Sequence, residues 1–488
     1  MALLTEKPGL PAGELFIGGR WEAAVGGATQ PVLDPSTGAT VSTAAVGGAA
    51  DVDRAVRAAR AAFDGGGWAR LRPRERGRIL QRAADLLRGR AEEFARLESL
   101  DVGKPILFTR TVDIPAVVDT FEYYAGLTAG LEGSVRPTAA PALAYTRREP
   151  IGVVGAITPF NFPLVLSATK IAPALAAGNT IVHKPAPDTP LSALRFAELL
   201  AEAGVPDGVY NLVTGDSATG VALTGHPMVD KIAFTGSSAA GRAVAGLAAR
   251  TLKQVTVELG GKGANIIFAD ADLEAAVSTA ISAFVFNTGQ FCMSGSRLLV
   301  ERPVYESVIA ALAAALPGLP VGDPMAEGTI IGPLAGPSHL ARVRSYLDRA
   351  AAAGVRRHDG GDPPGPDGFY VGPALLADVD QASPFVQEEI FGPLVTVQPF
   401  DTEAEAVALA NGTAYGLSAG LQTGRIARAH RVAAALNAGI VWVNGWSLLD
   451  PAMPFGGVGQ SGYGRENGPE GLDAYLRTKS VLVSLAGA

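Results

Sequence analysis

The hydrophobic pattern changes character near residue 150. Before that point apolar residues recur at helical spacing. DVDRAVRAARAAF (51–63) predicts a helix with Asp51 as its N-cap. RERGRILQRAADLLRGRAEEFARLESLDVG (74–103) predicts one long amphipathic helix. Ile79, Leu80, Ala83, Leu86, Leu87 and Phe94 fall on one side of it, and Gly103 and Pro105 end it. Ahead of these, LFIGGRWEAA (15–24) reads as a short strand and turn. These segments read as scaffold.

After residue 150 the apolar runs shorten to strand length and alternate with helical stretches. Strands are expected at 151–157, 179–184, 209–213, 231–235 and 254–259, with helices at 164–177, 192–203, 217–224 and 238–249 between them. This alternation predicts an α/β fold with a doubly wound parallel sheet, whose ligands bind beyond the carboxyl ends of the strands. A second α/β pattern follows. Its strands are expected at 263–268, 297–301, 395–400 and 439–444, and its helices at 272–286, 304–316 and 403–411. TRREPIG (146–152) and SVLVSL (480–485) read as strands outside both sheets, and exposed apolar edge strands seek a partner, here a neighbouring subunit.

Composition narrows the function. The 488 residues suggest about three domains. Apolar residues make up 48% and the net charge is −7, so the chain can bury a large core and is a poor nucleic-acid binder. No uncharged apolar run is long enough to cross a membrane. The first sixteen residues carry Glu6 and two prolines where a signal peptide needs its apolar centre, so a cytoplasmic protein is expected. A single cysteine, Cys292, excludes an intrachain disulfide and a thiolate-rich metal site, and the five histidines lack metal-ligand spacing, so no metal is expected.

The chemistry clusters in a few strings. FTGSSAAG (234–241) ends a strand and opens a helix, where Gly236 lets the chain turn and free amides can hold a phosphate. A G-x-G-x-x-G string at 457–462 lacks the strand–helix context and reads as a flexible glycine loop. SATK (167–170) matches a serine-acylase string, but the companion strings are missing, and it is set aside. Cys292 lies among small and polar residues in NTGQFCMSGSR, which suits a nucleophile better than a packed core thiol. Glu258 ends an apolar strand in VELGGK, where an unpaired carboxylate is functional or paired. Asn161, between prolines in PFNFP, is either a turn residue or an amide held to donate to an oxyanion.

Taken together with HKPAPDTP (183–190), EEIFGP (388–393) and MPFGGVGQSGYGRE (453–466), these strings make the chain resemble the non-acylating branch of the aldehyde dehydrogenase family. The resemblance covers residue 150 to the end. It implies Cys292 as nucleophile, Asn161 with the Cys292 amide as oxyanion hole, and Glu258 as the base that releases the acid. It implies NAD as cofactor, contacted by Lys184, Gly236, Ser237, Gly241, Thr158, Pro159, Phe160, Pro187, Gly215, Leu259, Glu389 and Phe391. Pro187 stands where NAD-preferring members often carry a Glu, and losing that carboxylate leaves NADP tolerated. The implied substrate walls are Phe162, Leu166, Thr169, Phe286, Phe291, Met293, Leu449 and Phe455. They lack Arg and Lys, so an apolar aldehyde, aromatic or medium-chain, is expected, and GQFCMS also resembles benzaldehyde- and vanillin-type members. The alternatives are a semialdehyde or betaine-type aldehyde. A coenzyme A-acylating enzyme is disfavoured by Glu258, and a catalytically silent member by the intact Cys292, Glu258 and Asn161. The resemblance also implies a nucleotide-binding domain (1–127 and 150–256) and a catalytic domain (257–455). Oligomerisation strands (128–149 and 470–488) would join a homodimer or homotetramer.

Overall fold

The computed structural model describes residues 13–485, so the reading of the extreme N-terminus as lacking a signal peptide lies outside the described residues. Two sheets carry the molecule. The first has eight strands. Five run parallel in the order Tyr210–Leu212, Thr180–Lys184, Val153–Ile157, Lys231–Thr235 and Gln254–Glu258. The hairpin Glu14–Ile17/Arg20–Ala23 closes one edge, and Gly462–Tyr463 pairs antiparallel with Val257 and Glu258 at the other. Four of the parallel strands are buried at every residue, which their largely apolar content allows and helices on both faces require.

The second sheet has seven strands, six of them parallel, in the order Arg356–Asp359, Ala374–Ala377, Leu394–Phe400, Arg297–Glu301, Ala264–Ile267, Ser418–Gln422 and Ile440–Val443. A third, small sheet joins Val135–Arg136, Ala142–Pro150 and Leu476–Ser484, so the two strands expected outside the main sheets pair with each other, Thr146 opposite Ser480. The expected boundary at 256/257 falls inside strand Gln254–Glu258.

Several local expectations are corrected. The stretch 74–103 is two helices, Pro73–Gly89 and Ala91–Val102, broken at Arg90, whose backbone (φ −116°, ψ 22°) leaves the helical region directly after Gly89. Asp51 is not the N-cap. Gly48 is, and Asp51 sits three residues in, where its carboxylate accepts from the Gly48 amide. The 457–462 string is not a flexible loop: Val458–Gly459 pairs with Tyr415–Gly416, and Gly462–Tyr463 joins the first sheet. Strands Thr29–Leu33 and Thr40–Ala45, and helices Pro337–Ala352 and Ile426–Ala435, were not foreseen. Among the described residues no helix is long and apolar enough to cross a membrane.

Candidate active site

Three strand ends of the first sheet converge on one region. Strand Val153–Ile157 delivers the loop carrying Asn161, after which Pro163 starts a helix. Strand Lys231–Thr235 delivers Gly236 and Ser237, and strand Gln254–Glu258 delivers Glu258 itself. After helix Leu273–Val285 comes the loop 286–292. Asn287 and Thr288 there hold left-handed backbone angles (φ 50° and 56°), which cost about 1–3 kcal/mol each and persist only where surroundings fix them. The fixing contacts are visible. Asn287 Nδ2 donates to the Asn161 carbonyl at 2.9 Å, and Asn161 Nδ2 donates to the Gln290 carbonyl at 2.9 Å. Thr288 Oγ1 donates to the Gly332 carbonyl. The loops of Asn161 and Cys292 are therefore tied to each other.

Cys292 is partly exposed and lines a cleft of about 680 Å³, together with Asn161, Leu259 and Gly260. Gly261 packs so close that a Cβ there would lie 2.2 Å from the Cys292 carbonyl oxygen. Burial, then the charges of Glu389 and Glu258, push the thiol up to about 12. Glu258 is 2% exposed and neither carboxyl oxygen has a hydrogen-bond partner. Burial and the nearby Glu466 carboxylate push it well above the usual range, against the pull of Lys170 and Arg465. It faces Gly456, where a Cβ would come within 2.7 Å of Oε1. Glu389 accepts from the Gly261 amide at 2.9 Å, and burial pushes it up to about 7.

The expected cofactor residues divide into two groups. Pro159, Phe160, Gly236, Ser237, Leu259, Glu389 and Phe391 line the cleft. Thr158, Lys184, Pro187, Gly215 and Gly241 are not among the lining residues. Thr158 hydrogen-bonds His183, Lys184 Nζ donates to the Pro185 carbonyl, and the Pro187 carbonyl accepts from Gln30. Burial lowers Lys184 to about 8. The cleft suits a dinucleotide. Ser237 caps helix Ser238–Ala249, whose first amides open toward the cleft. A Cβ on Gly241 would strike Leu259 at 2.3 Å, so that helix packs as close to the strand as glycine permits. Among the described residues no group of three or more His, Cys, Asp or Glu could hold a metal ion.

Of the expected substrate walls, Phe162, Phe286 and Phe291 form a ring cluster with centroids 5.4–5.9 Å apart. Met293, Phe455 and Leu166 pack with them. Thr169 turns its hydroxyl to Glu466 at 2.9 Å, and Leu449 is 52% exposed. The sequence reading missed several residues. Trp442 and Trp446 stack at 4.9 Å in the same cluster, with the Trp446 indole donating to the Met293 carbonyl. Lys170, in the string set aside as a false acylase signal, is fully buried and donates to Glu466 and Thr235. Asn287, His339 and Arg342 give no motif of their own. The signal that could have found Lys170 was a lysine inside an otherwise apolar helix, since an unpaired lysine is almost never buried.

With this geometry in view the comparisons are direct. The family model for the aldehyde dehydrogenase family matches residues 21–481. A Bacillus subtilis protein named "Putative aldehyde dehydrogenase DhaS" is 44% identical over 473 residues, covering 97% of this chain and 96% of that protein. The NAD+ complex of an aldehyde dehydrogenase from Bacillus cereus superposes with a TM-score of 0.95 at 43% identity, covering 97% of this chain and 96% of that one. Betaine aldehyde dehydrogenase from Staphylococcus aureus in complex with NAD+ superposes at 0.96 with 37% identity, covering all of this chain and 97% of that one. The chain belongs to the aldehyde dehydrogenase family.

Proposed function

We propose that the protein oxidises an apolar aldehyde to its carboxylic acid with NAD, through a covalent Cys292 intermediate. The observation that carries this is the placement of a partly exposed thiol at the floor of a dinucleotide-sized cleft, beside a buried carboxylate with no partner. The Cys292 thiol gives up its proton to water in the cleft, the sulfur adds to the aldehyde carbon, and the aldehyde oxygen takes up negative charge. Asn161 uses one amide hydrogen on Gln290, and its second, with the Cys292 backbone amide, meets that oxygen. NAD held against Gly236, Ser237, Glu389 and Phe391 would supply the hydride acceptor, so that loss of hydride from the adduct leaves an acyl group on Cys292. Glu258, in its ionised form, takes a proton from water. That water adds to the acyl carbon, the C–S bond breaks, and the carboxylic acid and the free Cys292 sulfur are released.

The ring cluster supports a flat or apolar aldehyde, because none of its members offers a counter-charge to a second carboxylate. Betaine aldehyde is the second reading, from the Staphylococcus aureus relative. It is weakened because Thr169, with its hydroxyl on Glu466, and Leu449, 52% exposed, stand where aromatic rings would cage a quaternary ammonium. Pro187 presents no carboxylate to repel a 2′-phosphate, so NADP is also accepted. Exposed Val135, Leu143, Leu482 and Val483 on the small sheet support self-association through it. The test is cofactor reduction with benzaldehyde, vanillin, hexanal, betaine aldehyde and succinate semialdehyde. Benzaldehyde or hexanal should lead in kcat/KM; a lead for succinate semialdehyde would overturn the substrate assignment.

A further inference from the structure

One buried cluster lies outside the machinery just described yet touches it. Gly103 ends helix Ala91–Val102 in the left-handed region (φ 79°), where a Cβ would meet Pro333 at 2.5 Å. This turn sends Lys104 inward, and its side chain is fully buried. The ammonium sits over the face of Phe162, 3.4 Å from the ring centroid. It is ion-paired to Asp113, also fully buried. Asp113 reaches it because the chain at Thr109–Asp113 makes a single π-helical turn, a rare widening often found at functional sites. Glu98 is the second negative neighbour, its carboxyl facing the Ser192 hydroxyl and the Leu164 amide. Phe108, in the same segment, packs edge-on against Phe286 at 5.0 Å. The segment 104–113 therefore touches two of the three rings that surround the proposed aldehyde site, and Phe162 directly follows Asn161.

A buried lysine is expensive to keep, and a pair with one aspartate would be satisfied anywhere. Placing its charge against a ring face is worth most where water is excluded, as it is here. We propose that Lys104 is a positioning residue that fixes the plane of Phe162, and through it the flat wall that orients an aromatic aldehyde beside Asn161. The ammonium holds the ring by its face, Asp113 holds the ammonium, and Phe108 holds the neighbouring ring. This rests on the aldehyde-oxidising reading above and extends it to the selection of ring-bearing substrates.

The test compares benzaldehyde with propanal in the wild type, in the charge-balanced pair Lys104→Met with Asp113→Asn, and in Lys104→Arg. The wild type must first oxidise both aldehydes; if it oxidises neither, the functional reading fails before this inference is reached. The paired variant should lose about tenfold in kcat/KM for benzaldehyde, mostly through KM, with propanal within about twofold, and Lys104→Arg should recover most of the loss. Equal losses for both aldehydes, or no loss for benzaldehyde, would overturn the proposal. Should the paired variant fail to fold, Phe162 replaced by fluorinated phenylalanines keeps the shape and weakens the ring face step by step. The benzaldehyde KM should then rise with each added fluorine, and a flat series overturns the proposal.

Discussion

Lys170 and Glu466 meet at 2.6 Å with neither side chain more than 2% exposed, and Glu466 is also the charge that most raises Glu258. The pair thus sits upstream of the proposed base with opposite effects on it. Replacing Glu466 with Gln removes the raising charge and leaves the lowering one. The acidic limb of the kcat–pH profile should move to lower pH. Lys170→Met removes the lowering charge, and the limb should move to higher pH. Shifts of the same sign in both variants would show that Glu258 does not set that limb.

Asn161 and Asn287 exchange contacts across the two active loops, but only Asn161 has an amide hydrogen left to give to an oxyanion. Asn161→Ala should lower kcat by about 10²–10³, the usual effect of removing one such donor. Asn287→Ala frees a strained loop instead. It should lower both kcat and the melting temperature, whereas Asn161→Ala should affect chiefly the rate. Steady-state kinetics with thermal melts separate the two.

The thiol of Cys292 is pushed up to about 12 by burial first and by the Glu389 charge next. Glu389 itself is pushed up to about 7, so its charge acts on the thiol above neutral pH. Glu389→Gln should therefore speed alkylation of Cys292 by iodoacetamide several-fold at about pH 8, and change it little at about pH 6. An unchanged or slower rate at the higher pH would count against this field.

Glu98 is pushed up to about 7 by burial, against 4.5 in a free chain. Between those values the folded protein holds a proton that the unfolded chain has released, so this carboxyl makes stability fall as pH rises through the window. Below it the effect is absent, and above it the loss is complete. Glu98→Gln removes the effect. The melting-temperature advantage of the variant should grow between about pH 5 and about pH 7.5; a constant difference would contradict the assignment.

Much of this site is legible in the sequence because its parts sit at strand ends. Short apolar runs mark the strands, and the residue after each run is placed by the sheet itself, as with Glu258 after VTV and Gly236 after KIAFT. What escapes is chemistry that depends on two distant segments. Lys170 and Glu466 lie 296 positions apart, and nothing local to either announces the pair. Trp442 lies in strand Ile440–Val443 and Trp446 just beyond it, yet their place in one cluster with Phe162 and Phe455 joins segments far apart in the chain. The break at Arg90 has only a weak local mark, Gly89, inside a pattern that stays amphipathic on both sides.

The account rests on a covalent Cys292 intermediate resolved by Glu258, and a single-turnover experiment with Glu258→Gln tests it most directly. Excess NAD and benzaldehyde should give a rapid burst of about one reduced cofactor per active site, then a near halt, with the acyl group found on Cys292 by mass spectrometry. Steady turnover at the wild-type rate, or a burst with Cys292 unmodified, would contradict it.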